Sequence, residues 1–309
     1  MEKLIKGLHH VTSMAANANE NNQFFTKTLG LRRVKKTVNF DAPEVYHLYY
    51  GDEVGTPGSV MTYFPFGQMP RGTRGVGEVG VTEFAVPKGS LAFWKEHLAA
   101  KGVTGLKEDS FLGEQRLQFD GPDGDDFALA EAEADGRVAW TGDGVGNGEG
   151  ILGFHGARFR LQDAAATGEL LQYMGYEKDE TEGNVTRYRV EGGNAARTID
   201  LEEIPGAQHA NQGAGSVHHI AFAVEDRAAQ LKVREALMDT GYQVTPVIDR
   251  DYFWAIYFRT PGGVLFEIAT NEPGFDRDED TANLGQALKL PTRYEPHRAA
   301  IEKRLPEIT

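Results

Sequence analysis

The 309-residue chain is 40% hydrophobic and 25% charged, with a net charge of −14 and no cysteine. That composition excludes a disordered chain, a disulfide framework, a thiolate nucleophile and a Cys-ligated metal site. An acidic surface repels phosphate backbones and anionic membranes, so neither nucleic acid nor membrane is an expected partner; a small neutral or weakly ionised substrate is. No apolar run reaches the ~20 residues that span a bilayer, and residues 1–7 form no apolar signal core, so cytoplasm is the expected compartment.

Read in chain order, the sequence repeats one unit four times. The first copy opens with the strand-like Gly7-Leu8-His9-His10-Val11-Thr12, and a helical stretch follows that stops at Gly30. Strand-like runs Tyr46-His47-Leu48-Tyr49-Tyr50 and Val60-Met61-Thr62-Tyr63-Phe64 close it, the second after the turn Thr56-Pro57-Gly58-Ser59. The second copy opens at residues 80–86 and its helix stops at Gly102, with Leu91, Trp94 and Leu98 on one face. Its turn is Gly121-Pro122-Asp123-Gly124. Gly142, Gly144, Gly146, Gly148 and Gly150 then read as a flexible linker and as the expected domain boundary. The third copy opens at residues 153–159 and its helix stops at Gly175. The fourth opens at residues 217–224, stops its helix at Gly241, and ends in two strands around Thr260-Pro261-Gly262-Gly263.

Counted from His10, Val81, Gly156 and His219, the stopping glycine lies 20, 21, 19 and 22 residues on. Each suits the left-handed residue just past a helix end. The unit is therefore βαβββ, and a single unit cannot bury its own sheet, so copies must pair. The expected class is α+β, with four modules in two paired barrel-like domains. Modules are placed at residues 1–75, 76–138, 153–212 and 213–272, with a linker at 139–152 and a C-terminal extension at 273–309. That extension is expected to pack over the site or against another subunit.

Superposing the copies places His10 and His219 in one slot of the first strand, where Val81 and Gly156 stand in the other two. A slot in the last strand, four residues past the turn, holds Glu267 in the fourth copy, Tyr63 in the first and Ala128 in the second. In the third copy the register among Asp200, Glu202 and Glu203 stays open. His10, His219 and Glu267 would form a 2-His-1-carboxylate face that binds a divalent metal and leaves three positions open. An unpaired carboxylate within Val264-Leu265-Phe266-Glu267-Ile268 is costly, and a metal removes that cost. Iron(II) and manganese(II) both accept this donor set. For the three ligands to meet, copies one and four should pair, leaving two and three to form the other barrel. His155 sits one residue before the slot and should face the opposite side of a regular strand.

With these motifs the chain resembles the vicinal oxygen chelate superfamily, and within it the hydroquinone ring-cleaving dioxygenases, the group that includes 2,6-dichlorohydroquinone dioxygenase. The resemblance covers nearly the whole chain, including Pro87-Lys88-Gly89-Ser90-Leu91, Arg187-Tyr188-Arg189-Val190 and Arg259-Thr260-Pro261-Gly262-Gly263-Val264. It implies an Fe(II)-dependent enzyme that inserts O₂ into a small aromatic diol, with His10, His219 and Glu267 as ligands. It also implies supporting roles for His9, Thr12, His218, Arg250 and Tyr257. Thr12, two residues from His10, shares its strand face, whereas His9 and His218 need a bulge or lateral reach to act. His47, His97, His209 and His297 are expected to be structural or exposed.

Two other readings use the same residues. A glyoxalase I type isomerase recruits glutamates from two copies; Tyr63 in the first-copy slot opposes it, and Glu202 or Glu203 would revive it only if copies three and four paired. A non-catalytic aromatic-binding resistance protein resembles the fold but has two copies and no complete metal face. Oligomeric state is not legible, although a homodimer is the commonest arrangement.

Overall fold

The computed structural model describes Met1 and residues 3–309. The first copy comprises β1 (Leu8–Ala15), α1 (Ala18–Gln23), β2 (Arg32–Asn39), β3 (Ala42–Gly51) and β4 (Val60–Pro65). The second comprises β5 (Glu78–Pro87), α2 (Leu91–Ala100), β6 (Lys107–Phe111), β7 (Glu114–Asp120) and β8 (Asp126–Ala132). The third comprises β9 (Gly153–Leu161), α3 (Ala165–Tyr173), β10 (Glu177–Glu182), β11 (Val185–Arg189) and β12 (Thr198–Glu203). The fourth comprises β13 (Val217–Val224), α4 (Arg227–Asp239), β14 (Ile248–Asp249), β15 (Phe253–Arg259) and β16 (Leu265–Pro273). A π-helical turn, Phe24–Thr28, carries α1 on to Gly30, and Gly30, Gly102, Gly175 and Gly241 all take positive φ, between 69° and 100°, so the four helical stretches stop as their spacing predicts. Asn17 starts α1 by accepting the backbone N–H groups of Asn19 and Glu20, and Asp226 does the same for Ala229 at α4.

The sixteen strands form two curled sheets of eight. One runs β14-β15-β16-β13-β1-β4-β3-β2 and the other β10-β11-β12-β9-β5-β8-β7-β6. Copies one and four therefore share a sheet, as do copies two and three, which is the pairing expected from the candidate ligand positions; the glycine-rich stretch at 139–152 accordingly joins two halves of one sheet and is no domain boundary. The seam of the first sheet is the antiparallel pair β1–β13, and that of the second is β5–β9. One face of both sheets packs into a common core with the helices; Phe25, Phe84, Trp94, Phe154, Phe222 and Phe266 are buried there. The other face of the first sheet is concave, and a separate apolar cluster that includes Tyr49, Tyr252, Phe253 and Phe275 lines it. Among the described residues no helix is long and apolar enough to cross a membrane.

The register corrects one sequence expectation. Parallel pairing puts Thr12 beside Thr62, just as Ala221 lies beside Glu267, so Thr62 and not Tyr63 fills the last-strand slot of copy one. Strand β4 starts at Val60, four residues past Thr56, whereas β16 starts at Leu265, five past Thr260; the shorter turn moves the slot by one. Tyr63 consequently points into the common core, packs at a tilt against Phe25 and donates its hydroxyl to Asp125 at 2.6 Å, tying the two sheets together.

Burial pushes the Asp125 carboxyl up to about 6, even though the Tyr63 hydroxyl bond favours the anion. An acid raised above its unfolded value weakens folding as pH climbs from the unfolded pKa through the folded one. Asp125→Asn should therefore gain stability over the parent between pH 4 and pH 8, by about 3 kcal/mol for a shift of roughly two units. Urea unfolding at the two pH values checks this, and a difference independent of pH contradicts it.

Candidate metal centre

An ideal strand sends neighbouring side chains to opposite faces, so a His-His pair would normally be split across the sheet. The β1–β13 seam avoids this with two register shifts. Leu8 faces Phe222 while His10 faces Ala221, which leaves His9 in a bulge; Thr12 faces His219 while Ser13 faces Val217, which leaves His218 in another. Each bulge turns the first histidine of its pair toward the second. His9 Nδ1 lies 2.9 Å from His10 Nδ1, and His218 Nδ1 lies 2.7 Å from His219 Nδ1.

These contacts decide which ring nitrogens are bare. His9 is buried, and burial next to His10 drops its pKa to about 3, so it is a neutral ring with one proton. Its Nε2 lies 3.1 Å from the Thr270 carbonyl, which can only accept, so the proton sits there. His9 Nδ1 then accepts from His10 Nδ1–H, and His10 Nε2 is left with a free lone pair. Burial beside His219 lowers His218 to about 4. His219 can likewise donate its Nδ1 proton to that neutral ring and bare its own Nε2.

The bared nitrogens meet a carboxylate. His10 Nε2 and His219 Nε2 are 3.4 Å apart and lie 3.4 Å and 2.9 Å from Glu267 Oε2. Glu267 is fully buried, and neither of its oxygens receives a hydrogen bond from the described residues. Burial opposes its charge, and only positive charge on or between the facing imidazoles holds the carboxyl well below its usual range. One donor atom from each of the three residues lies within 4.8 Å of the others. A buried anion without donors, facing two imidazole lone pairs, lacks a positive charge at the centre. A divalent cation fits that need through two nitrogens and one oxygen.

The remaining expected residues surround this cluster. Thr12 is buried and bonds Thr62 Oγ1 at 2.8 Å. Arg250 donates through Nε to the Tyr257 hydroxyl at 3.2 Å and pairs with the exposed Asp41 at 3.2 Å. The Tyr257 ring stands 5.6 Å from that of His219, and burial next to Glu267 raises its phenol pKa well above normal. Phe253, which the sequence did not single out, sits with its ring 5.0 Å from His10. His47, expected to be structural or exposed, lies on this concave side, bonded to Thr62 and Tyr49. Alternation along β3 puts His47 and Tyr49 on one face; nothing in a lone sequence says that this face is the inner one. A cavity of about 360 Å³ opens beside His218 and His219, with Gln212, Arg259 and Leu265 on its wall. The C-terminal segment packs onto the same sheet: buried Lys35 pairs with Asp278 at 2.7 Å and Glu279 at 2.5 Å.

The second sheet shows what the same positions hold without such a cluster. Register equates Val81 with His10, Gly156 with His219, Asp200 with Glu267 and Arg187 with Tyr257, which resolves the open register of the third copy. There Arg187 grips Asp200 through two bonds of 2.8 and 2.9 Å, and Arg116 bonds Glu83 at 2.8 Å. Phe111 lies under the guanidinium groups of Arg116, Arg158 and Arg187. His155 does not face away as a regular strand predicts: the register shifts between Glu83 and Phe84, and its Nε2 meets Glu114 at 3.0 Å. Glu202 and Glu203 lie on β12 of this sheet, apart from Glu267 on β16.

Comparison with known proteins agrees with this architecture. The family model described as the glyoxalase/bleomycin resistance protein/dioxygenase superfamily matches residues 7–268. A Bacillus subtilis (strain 168) protein, MhqO, provisionally named a ring-cleaving dioxygenase, is 44% identical over 99% of this chain and 97% of its own. The chlorohydroquinone/hydroquinone 1,2-dioxygenase of Sphingobium indicum is 36% identical over 94% of this chain and 93% of its own. A crystal structure of a provisionally named Bacillus subtilis dioxygenase superposes with a TM-score of 0.96 at 42% identity, covering 100% of this chain and 99% of that one. Glyoxalase I from Zea mays shares the fold alone, with a TM-score of 0.62 at 14% identity over 86% of this chain and 92% of that one. The chain belongs to the glyoxalase/bleomycin resistance protein/dioxygenase superfamily.

Proposed function

We propose that the chain is a non-haem Fe(II)-dependent ring-cleaving dioxygenase that inserts both atoms of O₂ into a hydroquinone or related dihydroxybenzene. The observation that carries the reading is Glu267, a buried carboxylate with no hydrogen-bond donor, facing the Nε2 atoms of His10 and His219. The named activities of MhqO and the Sphingobium enzyme supply the reaction class. His10, His219 and Glu267 hold the metal in this reading, and the same donors accept Mn(II). Bound there, the metal supplies Lewis acidity toward a phenolic oxygen and an electron path between ring and O₂.

The protein's own groups do the rest. Three protein ligands leave room for a substrate oxygen and O₂ side by side. His9 and His218 fix the orientation of the ligand rings through their Nδ1 contacts. Arg250 favours a negative substrate oxygen, since Tyr257 and Glu267 keep its guanidinium charged against the cost of burial. Tyr257 stays protonated and can donate to that oxygen. Phe253 offers an apolar face to the aromatic ring.

Two measurements test this. Metal-free protein titrated anaerobically with Fe(II) should bind one equivalent and gain about 2.7 kcal/mol of stability at a hundredfold excess over Kd. Glu267→Ala should lose that gain, and a gain retained in the variant contradicts the ligand assignment. Iron-loaded protein given methylhydroquinone should consume one O₂ per ring opened, and Glu267→Ala should fall to background. Absence of uptake by wild-type protein carrying one tightly bound iron would remove the hydroquinone reading.

A further inference from the structure

His47 stands in the middle of a hydrogen-bonded chain that runs into the candidate metal centre. Tyr49 Oη lies 2.8 Å from His47 Nδ1, His47 Nε2 lies 2.8 Å from Thr62 Oγ1, and Thr62 Oγ1 lies 2.8 Å from Thr12 Oγ1. The Thr12 end is central: it is two residues from His10 on β1 and directly across from His219 on β13. The imidazole is packed between the Tyr49 and Phe64 rings, with centroids 4.0 and 4.3 Å away. Charged or titratable neighbours from the other strands are His10, His219, Arg250 and Glu267. Burial, reinforced by the nearby Arg250 guanidinium, keeps the ring neutral, well below the ordinary imidazole range.

A hydroxyl both donates and accepts, and a neutral imidazole has one nitrogen of each kind. The chain therefore closes in two polarities. In one, Tyr49 donates to Nδ1, Nε2–H donates to Thr62, and Thr62 donates to Thr12. In the other every bond is reversed, and Thr12 donates inward toward Nε2. A chain with two complete polarities can pass a proton from end to end; one with a single polarity only braces its members.

We propose that His47, acting through Thr62 and Thr12, is the proton relay of this site. The inference rests on the dioxygenase reading above. With Thr12 donating inward, the O–H bond of a substrate hydroxyl beside it breaks and its electron pair stays on oxygen. That proton joins Thr12 as the Thr12 proton passes to Thr62 and the Thr62 proton passes to Nε2. The ring becomes an imidazolium that donates to Tyr49 and Thr62. Buried near Arg250, it is a short-lived carrier, and the reverse movement returns the proton to the product.

The relay is tested in two independent ways. In ¹⁵N-histidine spectra of metal-free wild-type protein, His47 should be neutral at pH 7 with both tautomers populated. A single fixed tautomer overturns the relay. In iron-loaded protein, His47→Gln and Thr62→Val should keep their iron content and anaerobic affinity for methylhydroquinone while kcat falls about 100-fold. A wild-type kcat in either variant overturns the proposal, as does a loss confined to KM. If wild-type iron protein consumes no oxygen, the dioxygenase reading fails, and the tautomer measurement still decides the relay.

Discussion

Everything at the candidate centre depends on the bulged seam between β1 and β13. Regular alternation would place His9 and His218 on the far face of the sheet, in the common core, and leave His10 and His219 with unsupported rings. One extra residue at each bulge brings both members of each pair to the concave side. The seam is also where copies one and four meet, so the join that closes the sheet builds the site. The second sheet has comparable shifts at Gly80 and His155 in the β5–β9 pair, which marks the bulge as part of the repeating scaffold.

The two sheets solve one electrostatic problem in different ways. Glu267 and Asp200 occupy equivalent buried positions, and each needs a compensating positive charge. Asp200 receives it from Arg187, the counterpart of Tyr257, through a two-bond grip. At Glu267 the counterpart is a phenol, and the histidines bring lone pairs instead of fixed cations. With tyrosine in place of that arginine, the buried carboxylate of the first sheet lacks the two-bond grip that neutralises its counterpart in the second.

Much of this was legible in the sequence because it follows from spacing. The stopping glycines marked the repeats, the repeats aligned His10 with His219, and candidate ligands on the outer copies required those copies to share a sheet. What escaped was set by single-residue register. The slot assigned to Tyr63 belongs to Thr62 because the copy-one turn is one residue shorter, and no residue type in Thr56-Pro57-Gly58-Ser59 announces that. The reach of His155 was hidden for the same reason, since a bulge in a strand without proline leaves no compositional trace. His47 and Phe253 escaped differently: which face of β3 and β15 is concave depends on the curl of the whole sheet.

The Arg187–Asp200 grip has a consequence for the chain before any metal arrives. The second sheet pairs its buried Asp200 and Glu83 with arginines of its own, and the two sheets share a continuous apolar core. The scaffold is thus largely assembled by residues that never contact a metal. On the function proposed above, loss of the metal would silence the protein without dismantling it, and its return would restore work without a new round of synthesis.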